Sequence, residues 1–121
     1  MILPHYTKWF AYAKGQTLAT EIFHLSTKFP SEEKFSLTDQ IRRSSRSVCS
    51  NLAESFAKRR YPKHFIAKLT DAAGENYETL TWLSFAYHHG YITKKEFEKY
   101  AVLNSEIGRL LSYMQKHPEK Y

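Results

Sequence analysis

The chain has 121 residues, 42% of them hydrophobic and 25% charged, a balance that fits one compact domain around one core and excludes a mostly disordered chain. No apolar run approaches the roughly 18–20 residues needed to cross a bilayer, and Met1-Ile2-Leu3-Pro4-His5 lacks the basic-then-apolar order of a secretory signal, so a cytoplasmic protein without membrane contact is expected. With 18 Lys and Arg against 12 Asp and Glu, a formal net charge of +6 and a pI near 9.4, polyanions are the partners favoured on electrostatic grounds.

Ala11, Gly15, Leu18, Ile22, Leu25 and Phe29 recur at steps of three and four, the spacing of one helical stripe. Tyr12, Ala19 and Phe23 widen the stripe and Pro30 ends it, so helix one is predicted over about residues 6–29. Ser36 is the predicted N-cap of helix two, with Asp39 three residues on as a weak variant of the capping box. The stripe Leu37, Ile41, Ser45, Val48, Leu52 and Phe56 carries this helix over about residues 37–60.

Tyr61-Pro62 interrupts the pattern, because proline disfavours a helical residue before it but suits the first turn of a new helix. Helix three follows over about residues 62–89 on Ile66, Leu69, Ala73, Asn76, Leu80, Leu83 and Tyr87, with Gly90 to close it. Thr93 and Glu96 make a full capping box. They open helix four over about residues 94–117, whose stripe is Phe97, Tyr100, Asn104, Ile107, Leu111 and Met114 and whose end Pro118 marks. Short connections between long helices force neighbours to run antiparallel, which predicts an all-α, up-down-up-down four-helix bundle as a single domain.

Enzyme chemistry finds little support. A di-iron bundle needs two Glu-x-x-His motifs and two further Glu residues, and only Glu21 and His24 fit that spacing. His5, His64, His88, His89 and His117 are scattered, and the adjacent pair point about 100° apart on a helix. Ser44, Ser45, Ser47 and Ser50 have no His or Lys base at a suitable helical offset, and no Gly-rich phosphate loop is present. Glu75 and Glu78 share a helix face as a solvated pair. The lone Cys49 falls within a helical apolar pattern as a small packing residue. No catalytic residue, metal or cofactor is expected.

On a helical wheel of helix two, Gln40, Ser44, Ser47 and Asn51 fall along one flank of the apolar stripe. Buried hydroxyls and amides must be hydrogen-bonded, so this polar ladder is expected to pair across helices or subunits, with Glu78 or Asn76 of helix three as candidate partners. The other flank carries Arg42, Arg46 and Arg60 with Cys49, Ala53 and Ala57 between them, while Arg43 sits toward the outer face. Between residues 40 and 68 the cations Arg42, Arg43, Arg46, Lys58, Arg59, Arg60, Lys63 and Lys68 face the single acid Glu54. Such clustering is all that sequence-independent phosphate binding needs, and Tyr61 and Phe65 beside Lys58-Arg59-Arg60 are candidates for stacking on unpaired bases. A solvated helix end would carry the same residues.

Residues Phe29-Pro30, Leu37-Thr38-Asp39-Gln40-Ile41-Arg42-Arg43 and Ser47-Val48-Cys49-Ser50-Asn51-Leu52-Ala53-Glu54 resemble the signature F-P, then L-T-x-Q-I-R-R-A-x-x-S-I-x-x-N-I-A-E-G. That signature belongs to bacterial four-helix-bundle proteins first known from intervening sequences in 23S ribosomal RNA genes. Phe65, Gly74, Glu78 and Gly90-Tyr91-Ile92 extend the resemblance over nearly the whole chain, with Ser44, Ser55 and Glu75 standing where the family usually has Ala, Gly and Ser. The resemblance implies a ring-like homopentamer, as in family members and the similar accessory proteins of diversity-generating retroelements. It also implies RNA or DNA as partner and, by likeness to the accessory proteins, a polymerase or other protein.

Overall fold

In the computed structural model, which describes all 121 residues, the first α-helix, α1, spans Phe10–Ser26. It starts later than about residue 6 because Pro4 organises a separate 3-10 turn over His5–Lys8, its carbonyl accepting from both the amide and the hydroxyl of Thr7. Trp9 then leaves helical geometry (ψ 136°) and buries its ring against Phe56, Phe65 and Tyr121. At the other end the hydroxyls of Ser26 and Thr27 donate to the carbonyls of Phe23 (3.0 Å) and His24 (2.6 Å). Such local bonds offer the backbone an alternative to helix, and α1 stops short of Phe29, which still packs into the core.

The second helix, α2, spans Leu37–Ala57 with Ser36 at its N-cap position. The expected capping box with Asp39 does not form. Ser36 Oγ donates backwards to Glu33 Oε1 at 2.6 Å, and the same carboxylate oxygen accepts the Leu37 amide at 3.3 Å. The orphan amides of a helix start donate to any well-placed oxygen, and here an upstream glutamate supplies it. Tyr91 Oη donates to the other oxygen of Glu33 at 2.7 Å, and the bonds from Ser36 and Tyr91 hold this carboxyl below its ordinary range.

α2 ends at Ala57 rather than near Arg60: a turn over residues 58–60 leads to Tyr61 (φ −122°, ψ 88°), in the extended geometry that a following proline imposes. Pro62 opens the third helix, α3, over Pro62–His88. It closes in a Schellman motif, with Gly90 at φ 81° and the amides of Gly90 and Tyr91 bonding the carbonyls of Tyr87 (3.0 Å) and Ala86 (2.9 Å). The fourth helix, α4, spans Lys94–Lys116 behind the expected capping box, Glu96 N to Thr93 Oγ1 at 3.1 Å and Thr93 N to Glu96 Oε1 at 2.9 Å.

Each helix packs on its two neighbours in the order α1, α2, α3, α4 and back to α1, with no diagonal packing. The cross-helix polar contacts fix the directions. Lys14 meets Glu106 and Glu21 meets Lys99 between α1 and α4, and Lys28 just beyond α1 meets Glu96; Ser44 meets Thr79 and Glu54 meets Lys68 between α2 and α3; Thr70 meets Gln115 and Asn76 meets Asn104 between α3 and α4. In every pair the number rises on one helix as it falls on the other, so the chain is an all-α, up-down-up-down bundle.

The expected stripes of α1 and α4 are buried apart from the half-buried Phe97. On α3 the stripe is rotated by one residue. Phe65, Leu69, Ala72, Asn76, Thr79, Leu83 and Ala86 are buried, and the expected Ile66, Ala73, Leu80 and Tyr87 lie half-buried beside them. Packed on both α2 and α4, α3 hides a wide arc that includes the fully buried Ala72, Thr79 and Ala86. Gly15 marks the close approach of α1 to α2, since a Cβ there would stand 3.1 Å from Cys49 Sγ.

Candidate nucleic-acid interface

Every carboxylate that forms an ion pair with a lysine or arginine does so with a lysine, six of the twelve acids in all. Lys14, Lys28, Lys68, Lys94 and Lys99 each make an ion pair, whereas none of the arginines at 42, 43, 46, 59, 60 and 109 does. Five of those six arginines lie on α2 or in the turn after it. Guanidinium forks match phosphate geometry better than ammonium groups do, so the side chains best suited to phosphate are the ones that internal acids leave free.

The expected cation cluster divides into three. Along α2, Arg42, Arg43 and Arg46 join Lys34, Ser47 and Ser50 around an open groove of about 570 Å3 that also contains Asp39 and Phe35. Arg42 is committed to the fold: its Nε donates to Ser26 Oγ at 2.8 Å, an Nη reaches the Phe23 carbonyl at 3.4 Å, and its guanidinium lies 4.7 Å from the Phe23 ring centroid. Arg43 and Arg46 are exposed, Arg46 over the outer side of the same ring at 5.9 Å.

At the corner between α2 and α3, Lys58, Arg59, Arg60 and Lys63 are all exposed without an acid partner, around a Tyr61 that is 59% exposed. Arg59 Nε donates to the Phe56 carbonyl at 2.9 Å and its guanidinium lies 3.5 Å from the Phe56 ring centroid. Arg59 and Arg60 edge a cleft of about 820 Å3 floored by Phe56 and Phe65 and closed on the far side by Pro118, Glu119 and Tyr121. Phe65 itself is only 1% exposed; packed edge-on against Trp9, it is a core residue and not the free stacking ring expected.

Lys68 leaves the cluster. It bonds Glu54 at 2.5 Å and Asp71 at 3.4 Å, and the Glu54 contact raises the pKa of its ammonium. The one acid of the 40–68 stretch is thereby spent on one lysine.

The polar ladder is a single rung. Ser44 is buried and bonds Thr79 Oγ1 at 2.9 Å, not Glu78 or Asn76. Each hydroxyl also has a carbonyl of its own helix within reach, Glu75 at 2.9 Å for Thr79 and Ile41 at 3.4 Å for Ser44, so either can donate in the pair. Asn51 bonds the Ser47 carbonyl within its own helix, and Glu78 accepts from Trp82 one turn along α3. Gln40 and Ser47 are half-buried with no cross-helix partner. Asn76 pairs instead with Asn104 of α4, each side-chain amide donating to the other's backbone carbonyl, at 2.9 and 2.8 Å.

The family model of the 23S rRNA-intervening sequence protein matches residues 7–113. The chain belongs to the 23S rRNA-intervening sequence protein family. Among solved structures it is similar to a protein with unknown function from the S23 ribosomal protein family of Bacteroides thetaiotaomicron VPI-5482, with 31% identity, coverage of 88% of this chain and 95% of that one, and a TM-score of 0.79. No curated protein matches. In this member of the 23S rRNA-intervening sequence proteins, Ser44 and Ser55 are both buried and satisfied, Ser44 by Thr79 and Ser55 by the Leu52 carbonyl at 2.6 Å.

Two contributors escape sequence reasoning. Lys34 and Phe35 lie in the connector outside any periodic stripe, and Pro118 to Tyr121 reach the α2–α3 corner only because α4 returns the chain there.

Proposed function

We propose that this protein is a non-enzymatic nucleic-acid-binding module, a ribonucleoprotein or retroelement-type accessory component acting on RNA or DNA as a homo-oligomer. The observation that carries the reading is the partition of charge: the ion pairs with carboxylates use lysines and not arginines, and Arg43, Arg46, Arg59 and Arg60 stay exposed and outside any ion pair on one helix and its C-terminal turn. Cations of this kind bind phosphates by releasing condensed counterions, which makes affinity fall as salt rises. A homo-oligomer multiplies weak contacts into useful avidity.

Binding of a structured RNA and of duplex DNA measured across a salt series tests this. Affinity should fall log-linearly with salt, by about 0.7–0.9 in slope per phosphate neutralised. Absence of binding at low salt, or binding indifferent to salt, contradicts the reading.

A second reading, a protein-interaction module without nucleic-acid contact, draws on a different surface. Phe35 (86% exposed) and Phe85 (47% exposed) join Leu37, Gln40, Trp82 and His89 around a groove of about 410 Å3 on the α2–α3 face. A second copy of the chain, or a polymerase, would bury these rings. Substituting Phe35 and Phe85 with Asp separates the readings by changing sedimentation mass or partner capture while leaving the arginines in place.

A further inference from the structure

We infer that the cleft at the α2–α3 corner takes unpaired nucleotides, stacking a base on the Arg59–Phe56 plate and on Tyr61 while Arg60, Lys58 and Lys63 hold the flanking phosphates. This rests on the nucleic-acid reading above and assigns the corner a class of nucleic acid, single strands in place of duplex.

The geometry distinguishes the corner from a mere phosphate patch. Duplexes present phosphates outward and keep their base faces stacked, so a protein that binds them non-specifically needs cations alone. Single strands also offer π-faces, which proteins meet with aromatic rings and guanidinium planes. The α2 groove has the first character: of its lining, only Phe35 is apolar. The corner has the second. The Arg59 guanidinium lies 3.5 Å from the Phe56 ring centroid and is pinned there by its Nε bond to the Phe56 carbonyl. Arg59 is nonetheless exposed, so the face turned away from Phe56 is open to a further planar group.

Tyr61 is not part of the cleft wall but lies in sequence between the lining residues Arg60 and Pro62, is 59% exposed, and packs edge-on against His64 at 6.0 Å between centroids. Burying an exposed ring against a base is favourable, and the Tyr-Pro turn has already fixed its backbone. The cleft volume of about 820 Å3 lies within the roughly 300–1,000 Å3 of ligand sites. Glu119, 3.7 Å from His117, is the one acid on its rim, against two arginines on the opposite side.

The test compares a fluorescently labelled single-stranded RNA 12-mer with a strand of equal length in which abasic sugars replace the bases, by anisotropy on the wild-type protein, Arg59→Lys and Tyr61→Ala. Arg59→Lys keeps the charge and removes the plane. Stacking of even one base is worth about fivefold or more in affinity, so the wild type should prefer the base-bearing strand by at least that factor. Each variant should lose most of that preference while binding the abasic strand as before, with its helical content unchanged. Equal wild-type affinity for the two strands, or a preference that both variants retain, overturns this assignment and leaves the phosphate-binding reading standing. Failure to bind either strand at low salt removes both.

Discussion

Arg42 of α2 reaches back to the end of α1, its Nε 2.8 Å from Ser26 Oγ and its guanidinium 4.7 Å from the Phe23 ring centroid. Its neighbour Arg43 is exposed and bonds nothing. The two adjacent arginines therefore have different jobs. Arg42→Ala should destabilise the bundle by roughly 1–2 kcal/mol through the lost bond and cation–π contact. Arg43→Ala should leave the melt unchanged and weaken RNA binding. Paired thermal melts and binding curves on the two variants check this, and equal effects of both on stability would contradict it.

The buried pair Asn76 and Asn104 joins α3 to α4 by three hydrogen bonds, two of them to backbone carbonyls. Asn104→Ala strips the Asn76 carbonyl and amide oxygen of their donor, and leaving such a buried group unsatisfied should cost about 1–3 kcal/mol. Replacing both with Leu removes the need for partners and should cost less than the single change. Chemical denaturation of the single and double variants decides it: a double variant less stable than Asn104→Ala would show that the pair contributes net stability.

Glu96 caps α4 and bonds Lys28, just beyond α1, at 2.6 and 2.7 Å, and these contacts, Lys28 foremost, lower its pKa below the ordinary value of 4.5. A carboxylate depressed in the folded state stabilises the fold above its unfolded pKa and loses that contribution as pH falls through the folded value. Stability should therefore decline below about pH 4.5, and Glu96→Gln should flatten the decline while lowering stability at neutral pH. An identical pH profile in the variant would contradict this role.

Burial pushes the Cys49 thiol from 9.0 up to about 11, against Gly15 and Val48. Only the thiolate reacts. Alkylation at pH 8 should thus be about a hundredfold slower in the folded protein than in the unfolded chain, because about two pKa units cut the thiolate fraction by that factor. Comparable rates would show a more accessible Cys49.

What the sequence made legible was local. The Thr93–Glu96 box, the Gly90 stop and the Tyr61-Pro62 break depend on residues a few positions apart, and all three stand where expected. Long-range choices were hidden. Nothing within α2 says that Lys68 spends itself on Glu54 or that Ser44 finds Thr79. The one-residue rotation of the α3 stripe has the same origin, since which of Phe65 and Ile66 is innermost depends on Trp9 arriving from the other end of the chain. The cation cluster was visible as composition, and only the packing separates the committed Arg42 and Lys68 from the free arginines.

Charge reversal at the corner is the decisive measurement, with Arg59, Arg60 and Lys63 all replaced by Glu and the variant compared with wild type for RNA affinity, sedimentation mass and melting temperature. These side chains make no ion pair in the fold. If they carry the phosphate contacts, affinity at low salt should fall by at least about tenfold, with mass unchanged and stability lowered by no more than roughly 1–2 kcal/mol through the lost Arg59–Phe56 contacts. Undiminished RNA binding, or a changed mass with binding intact, would refute the nucleic-acid role of this corner.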